Sequence, residues 1–182
     1  VILKADGKEL NRVSGPATTG FPMEIAVPSP RLWSPADPYL YDLTFELCDE
    51  TGALVDRVES YAGLRRVHIE GNRVYLNNQP IFQRLVLDQG FYPDGIWTAP
   101  SDEALRHDIE LSMAAGFNGA RLHQKVFEER FFYWADKLGY LTWNEYPSWG
   151  MSWALPEARY RYLDEWLEIV ERDRNHPSIV AW

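Results

Sequence analysis

The sequence predicts a mixed fold in which a β-sandwich is followed by about half of a TIM (β/α)8 barrel. In the first third of the chain, apolar and polar residues alternate with a period of two, which is typical of antiparallel strands with one buried face. From Ile81 onward, apolar runs alternate with helical patterns, which indicates a parallel sheet with crossover helices. The 182 residues are 46% hydrophobic, which is enough to bury a core.

The predicted sandwich depends on one hairpin near the start of the chain. Residues 41–48 alternate apolar and polar side chains, and residues 49–52, Asp-Glu-Thr-Gly, have the composition of a turn. A second strand-like run follows over 53–61, so the two runs predict an antiparallel pair. A shorter strand is predicted over 23–27. Because helical periods are scarce before Ala62, a β-sandwich is the simplest architecture for this part.

A linking hairpin and the first barrel strand come next. The strands of the hairpin are predicted over 67–70 and 73–76, with a Gly-Asn turn between them. The run over 81–87 is almost continuously apolar, as expected for a strand that is covered on both faces. We therefore predict that the parallel sheet begins at Ile81.

The first crossover helix has clear start and stop signals. Ser101 is a good N-cap residue, and two acidic residues that suit the first turn of a helix follow it. Apolar side chains recur at Leu105, Ile109 and Met113, and Gly116 ends the pattern. The sequence thus predicts a helix between Ser101 and Gly116.

A second strand and helix follow the first pair. The strand is predicted over 117–122, and the helix ends at Gly139 before a third strand over 140–145. The apolar stripe of this helix consists of Phe127, Phe131, Trp134, Ala135 and Leu138. This order repeats the pattern of a parallel sheet with crossover helices.

The third helix leads to a fourth strand. Its apolar stripe consists of Leu163, Trp166, Leu167 and Val170. Glu168 and Arg172 are predicted to form an i,i+4 ion pair, and the helix must end before Pro177. Residues 178–182 predict the fourth strand. Three strand–helix units and part of a fourth make about half of a (β/α)8 barrel, which typically has about 250 residues.

Charge and composition exclude several classes of partner. The net charge of −9 gives no attraction to nucleic acid or to anionic membrane surfaces, and no apolar run approaches the roughly 20 residues of a membrane span. Neither nucleic acid nor a membrane is therefore expected as a partner. Cys48 is the only cysteine, so we interpret it as a core or surface thiol. Because the chain starts at Val1, without an initiator Met, we expect the natural N-terminus to precede it.

Polar residues follow the predicted barrel strands, at the end where such barrels form their active sites. They are Asp88 after strand one, Arg121 and His123 after strand two, and Asn144 and Glu145 after strand three. Arg121 could orient a carboxylate or form a structural ion pair. His123 could donate to a sugar hydroxyl or be an ordinary hydrogen-bonded residue. Asp88 could bind a pair of sugar hydroxyls or cap its loop.

Other residue types in the sequence narrow the chemistry further. The tryptophans that could stack on sugar rings, or pack in the core or in loops, are Trp143, Trp149 and Trp153. The spacing of the histidines does not match a metal-binding motif, and neither a nucleophile elbow nor a glycine-rich phosphate loop occurs. We therefore expect neither a metal nor a cofactor.

An ordered series of short motifs runs along the chain. Residues 30–35 read Pro-Arg-Leu-Trp-Ser-Pro, and residues 38–41 read Pro-Tyr-Leu-Tyr. Further blocks follow at 62–65, 74–81, 116–121, 134–139 and 172–182. The first two blocks resemble the P-x-LW-SP-x-x-P-x-LY motif of the immunoglobulin-like domain of glycoside hydrolase family 2, and the other blocks follow in the family's order. The resemblance extends from about Met23 to Trp182.

The resemblance implies both an architecture and an activity. Residues 1–62 would form an immunoglobulin-like β-sandwich with an incomplete first strand, and residues 63–182 a linking hairpin and the N-terminal half of a catalytic barrel, cut in strand four. The activity would be that of a retaining glycosidase of the β-galactosidase/β-glucuronidase type, which uses two Glu about 5 to 5.5 Å apart. Both Glu are expected after Trp182, so we expect this chain to be inactive by itself.

By the same resemblance, Arg121 matches an arginine of strand two that lies near the nucleophile, and His123 is an analogue of a substrate-binding histidine. The sequence departs from the family pattern here, because one residue separates the two instead of two, and Gln124-Lys125 replaces Tyr-Pro. In the family, the Glu of an Asn-Glu dipeptide is the general acid/base. Asn144-Glu145 has the same two residues, but Glu145 lies on the wrong strand for that role. We therefore predict that Asp88, Arg121, His123, Asn144 and Glu145 bind a carbohydrate substrate.

Two other functional classes remain open at this point. One is a non-catalytic carbohydrate-binding or interaction module with a decayed barrel, and the other is a metal-dependent barrel hydrolase. Half a barrel would also expose strand edges and an apolar interior, so association with a second copy of the chain, or poor order, is expected.

Overall fold

The N-terminal part of the chain folds into a four-stranded antiparallel sheet. The structure is a computed structural model that describes residues 1–18, 20 and 22–182. The strands of this sheet, which has the order β2-β1-β3-β4, are β1 (Ile2–Ala5), β2 (Lys8–Arg12), β3 (Tyr41–Cys48) and β4 (Leu54–Ala62).

The β3–β4 hairpin confirms the prediction from the alternating pattern. The Oδ1 atom of Asp49 accepts hydrogen bonds from the backbone N of Thr51 and of Ala53, both at 2.9 Å. Gly52 adopts a φ of 85°, which a residue without Cβ reaches at little cost. The turn therefore forms from local hydrogen bonds, and Cys48 at its edge is an exposed free thiol.

The strand predicted over 23–27 is wrong, because this segment forms no ladder with the sheet. Its link to β2 is a side-chain hydrogen bond, in which Nδ2 of Asn11 donates to the carbonyl oxygen of Ala26 at 2.8 Å. Proline at positions 22 and 28 brackets the segment, and proline cannot donate to a ladder. The antiparallel character of this part is confirmed, but its described residues form one sheet, so a two-layered sandwich stays a prediction.

A second antiparallel sheet links the two parts of the chain. Its strands, in chain order across the sheet, are β5 (Val67–Glu70), β6 (Arg73–Leu76) and β7 (Gln79–Ile81). The predicted hairpin is confirmed in β5 and β6. Ile81 was predicted to begin the first barrel strand, and that prediction is wrong. Asn77 and Asn78 have positive φ values of 52° and 63° and turn the chain back, so that Ile81 pairs with Val74.

The C-terminal part contains the predicted alternation of strands and helices. Its parallel strands, in the order β8-β9-β10-β11, are β8 (Leu85–Asp88), β9 (Gly119–Leu122), β10 (Leu141–Asn144) and β11 (Ile179–Ala181). The connecting helices are α1 (Asp102–Ala114), α2 (Glu129–Leu138) and α3 (Pro156–Asp173). Four parallel strands with helical crossovers agree with part of a (β/α)8 barrel. None of the helices in the described residues is long and apolar enough to cross a membrane.

The ends of α1 and α2 follow the predicted signals. The Oγ atom of Ser101 accepts a hydrogen bond from the backbone N of Ala104 at 3.2 Å, which caps α1. Gly139 ends α2 with a φ of 76°. A Cβ atom at Gly139 would lie 2.5 Å from the carbonyl oxygen of Pro35, so the helix end also requires glycine for close packing.

Two predictions for α3 are wrong in detail. Leu163 and Leu167 of the apolar stripe are 51% and 56% exposed, since nothing in the described residues covers that side of the helix. Arg172 does not form an ion pair with Glu168. Its Nε atom lies 2.6 Å from Oδ1 of Asp173. The carboxylate of Asp173 is fully buried, and a buried charge is costly unless an opposite charge compensates it.

A buried carboxylate connects the antiparallel sheet to the helical part. Oδ2 of Asp136, in α2, accepts a hydrogen bond from the hydroxyl of Tyr61 in β4 at 2.9 Å and lies 2.6 Å from Nδ1 of His176. Its Oδ1 accepts from the backbone N of Ser178 at 2.9 Å. The fully buried Trp33 donates from its indole to the Asp136 carbonyl at 2.8 Å. These contacts fix β4 against α2 and the start of β11.

Candidate functional site

The side chains of the parallel sheet alternate between two faces. On the helix face, Ala120 and Leu122 are nearly fully buried in the core beneath α1 and α2. On the opposite face, which we call the inner face, Leu87, Arg121 and Trp143 are in register across β8, β9 and β10. Leu87 and Trp143 are 52% and 40% exposed. The inner face is therefore open at the carboxyl ends of the strands.

Arg121 and Glu145 form an ion pair on the inner face. The Nε atom of Arg121 donates a hydrogen bond to Oε1 of Glu145, and the guanidinium lies 5.9 Å from the ring centroid of Trp143. The second carboxylate oxygen of Glu145 accepts from the backbone N of Gln124 at 3.4 Å. The Glu145 side chain is only 16% exposed. A cation and an amide thus compensate a shielded carboxylate, whose oxygens can still accept further hydrogen bonds.

His123 directly follows β9 and lies beside the end of β8. Its backbone N donates to the carbonyl oxygen of Asp88 at 2.7 Å, which extends the parallel pairing of β8 and β9 by one bond. The Nδ1 atom of the ring is buried and makes no hydrogen bond with the described residues. This nitrogen is therefore a shielded polar atom whose hydrogen bond the described residues do not satisfy.

A groove of about 430 Å³ opens beside these residues. Its lining consists of Gln89, Phe91, Trp97, His123, Gln124 and Trp149. Trp149 is 82% exposed and Phe91 is 59% exposed, and the rings of Phe91 and Trp97 lie 5.9 Å apart. Large exposed aromatic faces next to hydrogen-bonding groups suit a ligand with both C–H and hydroxyl surfaces, such as a sugar ring.

The structure does not bring Asp88 and Asn144 to this groove. Both occupy the register of Leu122 and therefore the helix face of the sheet. Oδ1 of Asp88 accepts from the backbone N of Gly90 at 2.8 Å, which is the loop-capping role. Burial raises the pKa of the Asp88 carboxyl above its ordinary value, and the hydrogen bond from Gly90 opposes that rise. Asn144 is 5% exposed. Of the five predicted site residues, Arg121, His123 and Glu145 lie at the inner face or the groove.

The three tryptophans considered as sugar-stacking residues have different surroundings. Trp149 lines the groove, whereas Trp153 packs edge-on against Tyr162 with 5.0 Å between ring centroids. Trp143 lines a neighbouring cavity of about 670 Å³ together with Phe82 and Trp182. The described residues contain no group of three or more His, Cys, Asp or Glu side chains placed to hold a metal ion.

Two site residues were not predicted, although they directly follow His123. Gln124 contributes its backbone N to Glu145 and its side chain to the loop after β10. Lys125 is 7% exposed and donates to two carbonyl groups of the loop after β8. The sequence feature that could have identified both residues is that Gln124-Lys125 replaces the Tyr-Pro of the family pattern.

The chain is similar to known proteins in its sequence. Residues 2–65 match the family model described as glycosyl hydrolases family 2. A β-galactosidase of Vibrio cholerae is 32% identical over 166 residues, which cover 87% of this chain and 16% of that protein. A β-glucuronidase of Paenibacillus borealis is 29% identical over 195 residues, which cover 100% of this chain and 31% of that protein.

Solved structures agree with these sequence relatives. The β-glucuronidase from Ruminococcus gnavus in complex with D-glucuronic acid superposes with a TM-score of 0.78 at 28% identity, over 86% of this chain and 27% of that chain. The apo structure of Bacteroides uniformis β-glucuronidase 3 gives a TM-score of 0.80 over 98% of this chain and 22% of that chain, and at 24% identity it supports the fold alone.

The chain corresponds to only a small part of each of these relatives. It spans between 16% and 31% of the length of the two named relatives, and the alignments cover nearly all of it. The family model covers the antiparallel sheet, while the longer alignments also include the parallel sheet and its strand ends. Residues 2–65 therefore match glycosyl hydrolases family 2, and nearly the whole chain is similar to part of a β-galactosidase and of a β-glucuronidase.

Proposed function

We propose that the chain supplies part of the substrate-binding end of a retaining glycoside hydrolase that cleaves terminal β-glycosidic bonds. The observation that carries the proposal is the Arg121–Glu145 pair beside the aromatic groove, at the carboxyl ends of parallel strands. Relatives named β-galactosidase and β-glucuronidase support a glycoside as the substrate. We propose residues 1–62 as an immunoglobulin-like sandwich domain, and 63–182 as the linking hairpin and the first half of the catalytic barrel.

The groove offers two kinds of contact to a sugar ring. Trp149 and Trp97 can stack on its C–H face, because aromatic rings remove apolar surface from water. Glu145 can accept hydrogen bonds from sugar hydroxyl groups, and Arg121 holds its carboxylate in one orientation. The side chain of His123 also lines the groove. These residues would therefore bind and orient the substrate.

The double displacement would need carboxylates from elsewhere in the protein. Retaining enzymes place an acid/base and a nucleophile about 5 to 5.5 Å apart. The carboxylates at the strand ends, Asp88 and Glu145, belong to opposite faces of the sheet, and Glu145 is already paired with Arg121. This arrangement supports our proposal that the two catalytic Glu follow Trp182 and that this chain alone does not hydrolyse glycosides.

Nuclear magnetic resonance of the indole N–H groups tests the binding proposal. On titration with methyl β-galactoside or methyl β-glucuronide, we expect the resonances of Trp97 and Trp149 to shift. The resonance of Trp33 should stay unchanged, because its indole is fully buried and bonded to the Asp136 carbonyl. Trp149→Ala should weaken binding about tenfold, as expected for the loss of one stacking face. Trp153→Ala is the matched control.

Three results would contradict the proposal. They are equal shifts at Trp33 and Trp149, no shift with either sugar, and an equal loss of binding in Trp153→Ala. Release of nitrophenol from nitrophenyl glycosides of galactose, glucuronic acid, mannose or glucose by the purified chain would separately contradict its expected inactivity.

The non-catalytic binding module predicts the same indole shifts, so a different observation separates it from the enzyme. The sequence that follows Trp182 in the natural protein should contain a Ser-x-x-Asn-Glu-like segment if the protein is a glycosidase. Its absence there would favour the module.

A further inference from the structure

Two loops border the groove, and each carries aromatic residues of its lining. The β8–α1 loop, residues 89–100, carries Phe91 and Trp97, and the β10–α3 loop, residues 145–155, carries Trp149. Neither loop contains a helix or an extended strand. Their aromatic side chains can keep a fixed separation only if other residues hold the two loops in place.

Lys125 holds the β8–α1 loop at two points. Its Nζ atom donates to the carbonyl oxygen of Gly90 at 3.0 Å and to that of Trp97 at 2.8 Å. It also lies 3.4 Å from Oε2 of Glu128, whose Oε1 accepts from the backbone N of Ala99 at 3.3 Å. The beginning and the end of the loop are thus tied to one buried ammonium group.

The packing around Gly90 shows that the site is built for this lysine. A Cβ atom at Gly90 would lie 2.7 Å from Nζ and 2.8 Å from Cδ of Lys125. Nζ lies 4.6 Å from the centroid of the Phe127 ring, and the lysine side chain is only 7% exposed. A charged side chain is rarely buried to this extent unless its hydrogen bonds are satisfied. The contacts to the loop therefore offset the free-energy cost of burying the ammonium group.

Gln124 holds the β10–α3 loop in the same manner. Its Oε1 atom accepts hydrogen bonds from the backbone N of Ser148 at 2.7 Å and from that of Trp149 at 3.0 Å. Its Nε2 atom donates to Oγ of Ser148 at 3.4 Å. Gln124 adopts a φ of 59°, a left-handed conformation that is unfavourable for a residue with a Cβ atom. The hydrogen bonds to the loop offset this backbone strain.

We propose that Gln124 and Lys125 are positioning residues that set the separation between Trp97 and Trp149, and thereby the width of the glycoside that the groove accepts. The two residues are adjacent in sequence but hold loops on opposite sides of the groove. Any movement at the end of β9 would therefore move both aromatic walls. This inference rests on the proposed function only for the identity of the ligand, because the contacts to the loops exist without it.

Two substitutions separate the contributions of the residues. Lys125→Met and Gln124→Met keep an unbranched side chain of similar length but remove the hydrogen bonds that the two side chains make to the loops. By amide hydrogen exchange, Lys125→Met should speed exchange at Tyr92 and Ile96, and Gln124→Met at Ser148 and Trp149, each by about tenfold. Each variant should perturb the indole resonance of its own loop and leave the other unchanged. The matched controls are Lys137→Met and Gln79→Met at exposed positions.

The sugar titration then tests the consequence for binding. We expect the dissociation constant of a methyl β-glycoside that binds the native chain to rise about tenfold in each variant and to stay unchanged in both controls. An unchanged Trp33 indole resonance verifies that each variant is folded.

The outcomes distinguish the two proposals. If exchange in each loop is unchanged in its variant, or if both variants loosen both loops equally, the positioning role is overturned. If the loops loosen separately but binding stays at the native level, the control of groove width is overturned. If the native chain binds no sugar while the loops still loosen separately, the proposed function fails and the positioning role is supported.

Discussion

Single residues at the strand ends differ in how their charge is compensated. Glu145 pairs with Arg121, whereas the carboxylate of Asp88 has one backbone donor, Gly90, and the acidic Asp108 nearby. Burial raises the pKa of Asp88 above its ordinary value, and the electrostatic contribution of Asp108 adds to that rise. The folded state therefore favours the neutral form of Asp88 more than the unfolded state does, and ionisation of this carboxyl lowers stability.

Asp88→Asn should be more stable than the native chain at neutral pH, and the advantage should shrink in acid. The Oδ1 atom of the asparagine can still accept from Gly90, and it carries no charge. Because the folded-state pKa is raised, the stabilising contribution of Asp88 is present below the unfolded-state pKa and is lost as the pH rises through the folded-state pKa. Urea unfolding of both proteins at about pH 4 and about pH 7 measures the difference. A larger advantage at the lower pH would refute this account.

The types of residue at the strand ends could be predicted from the sequence, but the directions of their side chains could not. Neighbouring residues of a strand point to opposite faces, so an error of one residue in register exchanges the faces. Arg121 and Glu145 reach the inner face, while Asp88 and Asn144 lie on the helix face. The left-handed backbone of Gln124 then redirects the chain, and no residue type signals that conformation.

At the scale of elements, the helix ends contain glycines with different roles. Gly116 after α1 and Gly139 after α2 both have positive φ values, of 93° and 76°. A Cβ atom at Gly116 would meet no atom within 4 Å, whereas at Gly139 it would lie 2.5 Å from the Pro35 carbonyl oxygen. The two positions therefore separate backbone strain from the packing of α2 against the segment before β3.

Gly139→Ala should destabilise the chain more than Gly116→Ala does. Left-handed alanine costs about 1 kcal/mol at either position. The clash with Pro35 should add about 1 to 3 kcal/mol at Gly139 only, because the backbone of the neighbouring segment must move. Urea unfolding of the two variants gives both values under the same conditions. Equal losses would mean that the segment around Pro35 adapts freely and does not fix the end of α2.

The elements with local signals were predictable, and those set by distant pairing were not. The Ser101 cap and Gly139 defined α1 and α2, and Asp49 defined the β3–β4 turn. Residues 23–27 have a suitable strand composition but only a side-chain link to β2. Ile81 suits a barrel strand equally well, but the turn before it returns the chain to β6. The residue types around Ile81 do not determine which strand it pairs with.

At the scale of the whole molecule, the parallel sheet is open. Among the described residues, β8 and β11 each have one strand neighbour, so both present an unpaired edge. The cavity on the inner face is lined by the exposed aromatic residues Phe82, Trp143 and Trp182. Strand edges and apolar surface of this kind commonly promote association.

We therefore expect the purified chain to self-associate through its inner face. Light scattering over a concentration series should show an apparent mass that rises to about twofold the monomer mass or beyond. Because Phe82 and Trp182 are 78% and 42% exposed, the combined substitution of both by Ser should lower this mass without disturbing a buried core. Leu155→Ser, at a residue that is 55% exposed but outside the cavity, is the control and should leave the mass unchanged. A concentration-independent monomer, or an equal response to the control, would show that the open sheet does not drive association.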